Sequence, residues 1–242
     1  MKERRGEMGE GSDIYSGADP REIPTYTARE AARYVGLPTG TLRNWAFGLY
    51  YPTEKGRTFF SPVIELPDRS KRLLSFMNVV EAHVLKATRR RHGVPLRSIR
   101  LALDYLKSAF PSPHPLTDHR FLTDGLDLLV VKYGELIAVS RRGQLAMKEV
   151  LEAHLKRIEW DAFGRAERLY PFVRPVDLGA PSYVVIDPRI SFGRPVLRGT
   201  GIPTEVLAER FNSGESIEDL AKDYARDRDE IEEAIRCELR AA

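Results

Sequence analysis

The chain has 242 residues, of which 42% are hydrophobic, enough to bury the core of one large domain or of several small ones. No stretch approaches the roughly 18 consecutive apolar residues that a membrane-spanning helix requires. The single cysteine, Cys237, excludes an internal disulfide framework and a multi-cysteine metal centre, so we expect a reducing cytoplasm as the setting.

Charge is distributed unevenly along the chain although the formal net charge is only +3. Residues 27–107 hold 15 Lys and Arg against 6 Asp and Glu, whereas residues 204–242 hold 6 against 12. A basic first half and an acidic end predict two different partners. Residues 1–24 are rich in Gly, Glu, Arg and Ser and poor in large apolar side chains, which predicts a flexible tail.

Two short helices are predicted directly after this tail. Thr27 and Glu30 have the spacing of a capping box, and Gly36 is placed to end the first helix. Thr39 is a candidate N-cap for the second helix, in which Leu42 and Trp45 form a buried stripe. Two short helices across a tight turn predict a helix-turn-helix.

A hairpin wing and two further helices are predicted to complete a unit of residues 25–110. Residues 59–66 and 72–76 are strand-like runs around a turn-forming segment. The unit offers hydroxyl, amide and guanidinium groups of the kind that bind phosphates and base edges. The candidate DNA contacts are Thr39, Thr41, Arg43, Asn44, Arg57, Arg69, Lys71 and Arg72; a solvated basic surface is the alternative interpretation.

The middle of the chain, residues 111–160, is predicted to form a hairpin from residues 126–131 and 135–139, followed by a helix over 144–160. Residues 161–182 contain several prolines and are predicted to be an extended linker. The fold class is therefore mainly α, of α+β type.

Residues 183–242 are predicted to form a small trihelical, helix-turn-helix-like domain that begins with a short β-hairpin. Its last helix carries acidic residues near its start, which suits the helix dipole and opposes DNA phosphate. We therefore expect this unit to bind protein, either a second copy of the chain or a basic face of a partner; contact with DNA is the alternative. The candidate contacts are Arg194, Arg198, Asp229, Glu230, Glu232 and Glu233; ion pairing within the chain is the alternative for the two arginines.

The first unit resembles a known superfamily. Residues 41–45 (Thr-Leu-Arg-Asn-Trp) and 48–52 (Gly-Leu-Tyr-Tyr-Pro) are similar to the recognition helix and the following turn of MerR-like winged helix-turn-helix proteins. The resemblance covers residues 26–105 and implies DNA binding. No cysteine effector site follows, so it does not imply metal or drug sensing.

The last unit resembles a bacterial domain family of unknown function that occurs in antitoxins. The similar segments are residues 186–188, 192–196, 199–203 and 214–217. The order of the whole chain resembles the VapB-type antitoxins of mycobacteria and other actinobacteria. This resemblance implies a PIN-like ribonuclease toxin as partner, and operator DNA bound by a homodimer that represses its own operon.

The leading hypothesis is therefore a non-enzymatic antitoxin, and the alternative is a stand-alone transcriptional regulator without a toxin partner. No phosphate loop, nucleophile motif or dinucleotide fingerprint is found, and the histidines lack metal-ligand spacing. We expect no cofactor and no metal.

Overall fold

The computed structural model describes residues 15–53, 56–90, 96–109, 112–118, 127, 129–131, 141–173 and 181–239. The helices are α1 (Ala28–Val35), α2 (Thr39–Phe47), α3 (Phe76–Arg90), α4 (Leu96–Ala109), α5 (Arg141–Leu155), α6 (Thr204–Asn212), α7 (Ile217–Tyr224) and α8 (Arg228–Leu239). The strands pair in antiparallel hairpins: β1 (Leu49–Thr53) with β2 (Gly56–Phe60), β3 (Ile158–Trp160) with β4 (Ala166–Leu169), and β5 (Val184–Val185) with β6 (Val196–Leu197). The predicted α+β fold class with mainly helical content is confirmed.

The predicted ends of α1 are confirmed. The Thr27 hydroxyl accepts from the Glu30 amide, and the Glu30 carboxylate accepts from the Thr27 amide at 2.8 Å, which completes the capping box. Gly36 closes the helix in the left-handed conformation, with φ 65°. The predicted cap of α2 is wrong: Pro38 occupies the N-cap position, Thr39 is the first helical residue, and no side chain caps the helix.

The wing is a hairpin of β1 and β2, so the predicted pairing of residues 59–66 with 72–76 is wrong. Tyr50 lies opposite Phe59, with ring centroids 4.7 Å apart. The predicted turn does form, since Asp68 accepts hydrogen bonds from the amide and hydroxyl of Ser70. It does not join two strands, because the chain then turns at Arg72, where φ is 52°, and continues into α3.

The strand predicted at residues 126–131 is wrong wherever the structure describes it, because Asp127 and residues 129–131 are helical. A short apolar run does not by itself distinguish a buried helix from a strand. Leu129 and Val130 are buried whereas Val131 is half exposed, as expected of a helix with one face on the core. The predicted partner strand at 135–139 lies outside the described residues.

The helix predicted over 144–160 ends at Leu155, and the chain continues into β3. Ile158 is buried although it belongs to a strand, so it continued the helical spacing of apolar residues without being helical. Residues 161–169 form the rest of the β3–β4 hairpin rather than an extended linker. Tyr170 and Val173 are also buried, in small apolar clusters with the C-terminal strands.

Residues 15–24 were predicted to belong to the flexible tail, but they pack against the rest of the protein; residues 1–14 lie outside the described residues. The Tyr15 hydroxyl donates to the Pro188 carbonyl at 2.8 Å. Arg21 is only 7% exposed and donates to Asp161 at 2.6 Å and to Asp19 at 2.8 Å. These contacts attach the segment to the C-terminal unit and to the β3–β4 turn.

A buried histidine extends this polar contact into the helical core. The two ring nitrogens of His114 each lie 3.2 Å from a glutamate oxygen, one from Glu22 and one from Glu81 of α3. Burial acts to lower the pKa of His114, but the hydrogen bonds to the two glutamates outweigh it and raise the pKa to about 10. The contact with His114 also holds the pKa of Glu22 below its usual value, against the opposing effect of burial.

Two hydrophobic cores follow from this arrangement. One is shared by α1 to α5 and the β3–β4 hairpin, and Trp45 and Phe76 are among its fully buried side chains. The other is formed by α6 to α8 around Leu207, Leu220 and Ile231. Ser216 caps α7 as predicted, accepting the Asp219 amide at 3.0 Å.

Candidate nucleic-acid interface

α2 turns its apolar side inward and its polar side outward. Leu42 and Trp45 are fully buried, so Arg43, between them in sequence, is exposed. Thr39, Thr41 and Asn44 are half-buried on the same helix. This orientation is the one required of a recognition helix, whose outer face must reach the major groove.

α1 is fixed to the core behind it. Lys86, buried in α3, donates from Nζ to the Val35 carbonyl at the end of α1 over 2.6 Å. A cation at this position also suits the negative end of the helix dipole. The contact therefore fixes the C-terminal end of α1 to α3, while the capping box defines its N-terminal end.

A cavity of about 250 Å³ lies between α1, α2 and the turn before α3. Its lining brings together three of the predicted DNA contacts, Thr39, Arg43 and Arg72. The Arg72 guanidinium carbon lies 4.3 Å from the centre of the Phe47 ring, in a cation–π contact that directs it toward α2. Arg29 of α1 also lines the cavity. The sequence does not predict this contact, because its pattern indicates only that α1 supports α2.

The other predicted contacts surround this cavity without lining it. Arg57 lies on β2 of the wing and is exposed. Arg69 and Lys71 are exposed in the turn before α3, with Lys71 4.0 Å from Asp68. Hydrogen bonds from Ser70 lower the pKa of Asp68, so its carboxylate is ionised near Lys71.

The wing follows α2 without a linker because Gly48 allows close contact. A Cβ atom on Gly48 would lie 2.5 Å from the Phe59 ring, and its φ of 80° is unfavourable for other residues. The Tyr50 and Phe59 rings and Arg57 share one face of the hairpin, since they occupy alternating and opposing positions.

The arginines of this side share one property. None of them lies within 4.0 Å of a carboxylate that belongs to a described residue. They are Arg29, Arg43, Arg57, Arg69 and Arg72. Their positive charge is therefore available to an external anion.

The arginines of the C-terminal unit are mostly paired. Six of them form ion pairs with nearby carboxylates. They are Arg189, Arg194, Arg210, Arg226, Arg228 and Arg236. Contacts with Glu215 and Asp223 raise the pKa of Arg210 further above its usual value.

The two arginines predicted to contact a protein partner lie at either side of β6. Arg194 is bound to Glu205 at 2.7 Å, and Arg198 lies 5.4 Å from the centre of the Tyr170 ring. The alternative interpretation, an ion pair within the chain, therefore agrees with the observed position of Arg194. Both side chains are exposed.

The acidic residues predicted to contact a partner lie on α8 and differ in exposure. Asp229 is exposed, Glu230 lies 3.8 Å from Arg226, and Glu232 binds Arg236 at 2.5 Å. Glu233 is fully buried, with its carboxylate 3.7 Å from Arg236. The first turn of α8 thus presents Asp229 outward, whereas the Glu230 side chain is largely covered beside Arg226 and Glu233 points into the protein.

The C-terminal unit packs directly against α1. The buried Tyr26 hydroxyl donates to the Gly193 carbonyl at 2.9 Å, and Arg33 of α1 binds Glu238 of α8 at 2.9 Å. Burial raises the pKa of the Tyr26 hydroxyl well above its usual value, so it remains a donor. Among the residues described, no helix is long and apolar enough to cross a membrane, and no group of three or more potential ligands has the arrangement of a metal site.

Comparison with known proteins places both ends of the chain in families. Residues 24–103 match a family described as "Putative DNA-binding HTH domain", and residues 184–236 match "Protein of unknown function (DUF433)". The "Putative antitoxin VapB45" of Mycobacterium tuberculosis is 31% identical over 230 residues, covering 88% of this chain and 93% of that protein. The "Uncharacterized protein Rv2308" of the same organism is 28% identical over 224 residues, covering 89% of each.

A solved structure shows the same fold. The crystal structure of Rv2018 from Mycobacterium tuberculosis matches with a TM-score of 0.62 and 26% identity, covering 88% of this chain and 98% of that one. A putative DNA-binding helix-turn-helix joined to a DUF433 unit, in a chain similar over most of its length to a putative antitoxin, is the combination expected of a DNA-binding antitoxin. The chain belongs to the family of VapB45, which confirms the resemblance to VapB-type antitoxins.

Proposed function

We propose that the chain is the antitoxin of a type II toxin–antitoxin pair that binds a PIN-like ribonuclease toxin and represses its own operon. Membership of the VapB45 family supports the antitoxin role. The observation that carries the DNA-binding role is the set of exposed arginines around the helix-turn-helix, which have no carboxylate partner in the part of the chain that the structure describes. We also propose that it acts as a homodimer, since the two half-sites of an operator usually match the symmetry of a protein dimer. We propose further that it catalyses no reaction.

In the proposed complex, α2 enters the major groove. Arg43 contacts the DNA backbone from the outer side of the helix, where it is exposed. Thr41 and Asn44 lie beside it, and Arg57 of the wing reaches the flanking backbone. Arg69 and Lys71 neutralise further phosphates, so the affinity should fall steeply with salt.

Mobility shift with a duplex taken from upstream of the chain's own gene tests this role. Arg43→Ala should weaken binding by about 10- to 100-fold, the usual cost of losing a hydrogen bond to a charged group. The control is Arg228→Ala, which removes an exposed arginine from the opposite end of the chain, where it is paired with Glu218, and should leave the affinity within about twofold. Unchanged binding by Arg43→Ala would remove α2 as the recognition helix.

Toxin binding is proposed for the C-terminal unit, through Arg194, Arg198, Asp229, Glu230 and Glu232. The Arg194–Glu205 pair is largely exposed, so exchanging Glu205 for a carboxylate of a partner costs little. A nuclease of the PIN-like class offers such carboxylates at its metal site, which is what the resemblance implies. Glu233 is left out of the proposed surface because it is buried.

Co-expression with the protein encoded by the adjacent reading frame tests this part. Arg194→Glu combined with Arg198→Glu should abolish co-purification, because the reversed charges repel the partner's carboxylates. Arg189→Glu, another exposed arginine of the same unit, is the control and should retain it. Operator binding without capture of any neighbouring protein would favour the stand-alone regulator.

A further inference from the structure

We propose that Arg29, Arg43 and Arg72 form a single site for one phosphate group of the DNA backbone; we call these three residues the arginine cradle. They come from α1, α2 and the turn before α3, yet all three line the same cavity of about 250 Å³. This inference rests on the proposed DNA-binding function and deepens it, because it assigns one phosphate to three arginines rather than one to each.

The three positive charges around the cavity favour the binding of an anion. No carboxylate among the described residues lies within 4.0 Å of the three guanidinium groups, and like charges that face one cavity repel each other. Glu30, next to Arg29 in sequence, is already held by the capping box, where it accepts from the Thr27 amide at 2.8 Å and from the Thr27 hydroxyl at 2.6 Å. No described residue therefore supplies the anion, and we assign that role to the DNA backbone.

The position of Arg72 is prepared before any ligand binds. Its backbone has φ 52°, a conformation that non-glycine residues rarely adopt. The next residues hold it there, since Leu74 exchanges backbone hydrogen bonds with Tyr26 at 2.8 and 2.9 Å, just ahead of α1. The Phe47 ring then supports the guanidinium from below. Backbone strain that survives at an exposed residue is typical of functional positions.

A phosphate fits this donor set better than a base edge does. Guanidinium groups bind phosphate oxygens through paired hydrogen bonds, and three groups approaching from different elements surround a tetrahedral anion. Thr39 adds a hydroxyl at the wall of the cavity. A flat base edge accepts one guanidinium in its plane, so it would leave the other two without partners.

The salt dependence of operator binding distinguishes one shared phosphate from several. Each neutralised phosphate contributes about 0.9 to the slope of log affinity against log salt. Because the three arginines share one phosphate, Arg29→Ala and Arg72→Asn should each lower the slope by less than 0.9, and the double variant should lower it by no more than about 0.9 in total. Asparagine is chosen at position 72 because it tolerates the left-handed backbone.

The matched control pairs Arg72→Asn with Arg57→Ala of the wing, which does not line the cavity; here the slope changes of the single variants should add. A loss of about 1.8 in the slope of the Arg29–Arg72 double variant, the value for two phosphates, or an unchanged slope in that variant, would overturn the cradle while leaving operator binding itself established.

Inorganic phosphate provides a second probe, independent of the operator. Phosphate should raise the midpoint of thermal unfolding of the full chain, compared with sodium chloride at equal ionic strength, because it binds only the folded form. The Arg29→Ala/Arg72→Asn variant should lose this increase, and an equal increase in both proteins would overturn the proposal. Stabilisation by phosphate that requires the cradle, in a chain that binds no duplex, would instead keep the anion site and refute the DNA-binding function.

Discussion

The two ends of the chain use arginine in opposite ways. On the helix-turn-helix, Arg29, Arg43 and Arg72 face one cavity without a carboxylate partner among the described residues. In the C-terminal unit, Arg194 and Arg228 are bound to Glu205 and Glu218. Arg194 and Arg33, which lie outside residues 204–242, offset part of the acidic excess of that segment by binding Glu205 and Glu238. The net charge of a segment therefore says less about its partner than the pairing of its side chains does.

The two regions nevertheless pack against each other through α1. Arg29 and Arg33 lie one helical turn apart on α1; the first lines the cradle and the second binds Glu238 of α8. Glu238 also accepts from the Thr204 hydroxyl, at 2.5 Å. The C-terminal unit therefore supports the helix that carries part of the proposed DNA site.

The largest expected effect comes from disrupting the contact between the Tyr26 hydroxyl and Gly193, which also joins the two regions. A Cβ atom there would lie 2.1 Å from the Tyr26 hydroxyl oxygen, and φ is 77°. Gly193→Ala should lower the free energy of unfolding by about 4 kcal/mol, from overpacking, the left-handed backbone and the lost hydrogen bond. Chemical denaturation measures it.

Gly199→Ala is the control for this change. Gly199 has a similar φ of 74° but no atom within 4 Å of the added Cβ, so only the backbone cost of about 1–2 kcal/mol remains. Equal losses in the two variants would show that the contact between the regions contributes nothing beyond backbone conformation.

A smaller effect on the free energy of unfolding is expected from a change of pH, because the buried His114 is charged in the folded protein. The folded pKa of His114, about 10, lies above the unfolded value near 6.5. Its stabilising contribution is therefore complete below about pH 6.5 and is lost as the pH rises toward 10. We expect a loss of about 2 kcal/mol over this range, less than the full pKa difference implies because Glu22 is partly exposed.

His114→Gln tests the assignment, because glutamine retains hydrogen bonding without titrating. The variant should be less stable at pH 6.5 and should show a flatter dependence between pH 6.5 and 10. A wild-type dependence that persists in the variant would assign the titration to another group.

Local signals in the sequence were sufficient where one residue type decides the backbone. The capping box of Thr27 and Glu30, the end of α1 at Gly36 and the cap of α7 at Ser216 all follow from such signals. The buried stripe of Leu42 and Trp45 follows from helical periodicity in the same way.

Those local signals do not predict which segments of the chain pair with each other. β1 reads as a turn and β3 as the end of a helix, and each becomes a strand because of the partner opposite it. The position of Arg29 beside Arg43 and Arg72 could not be predicted for a related reason: the cavity that it lines is formed by three separate segments. The roles of the candidate contacts thus depend on proximity that no local pattern encodes.

The smallest expected effect compares the two kinds of arginine by stability alone. Arg194→Ala removes an exposed ion pair and should lower the free energy of unfolding by about 0.5 kcal/mol or less. Arg43→Ala should leave it unchanged or raise it slightly, because that residue has no carboxylate partner among the residues described and faces two other cations across the cavity. Parallel thermal unfolding at low salt gives the sign of each change. If Arg43→Ala destabilised the protein more than Arg194→Ala, the charge of Arg43 would have a partner within the chain, and the distinction between the two regions would not hold.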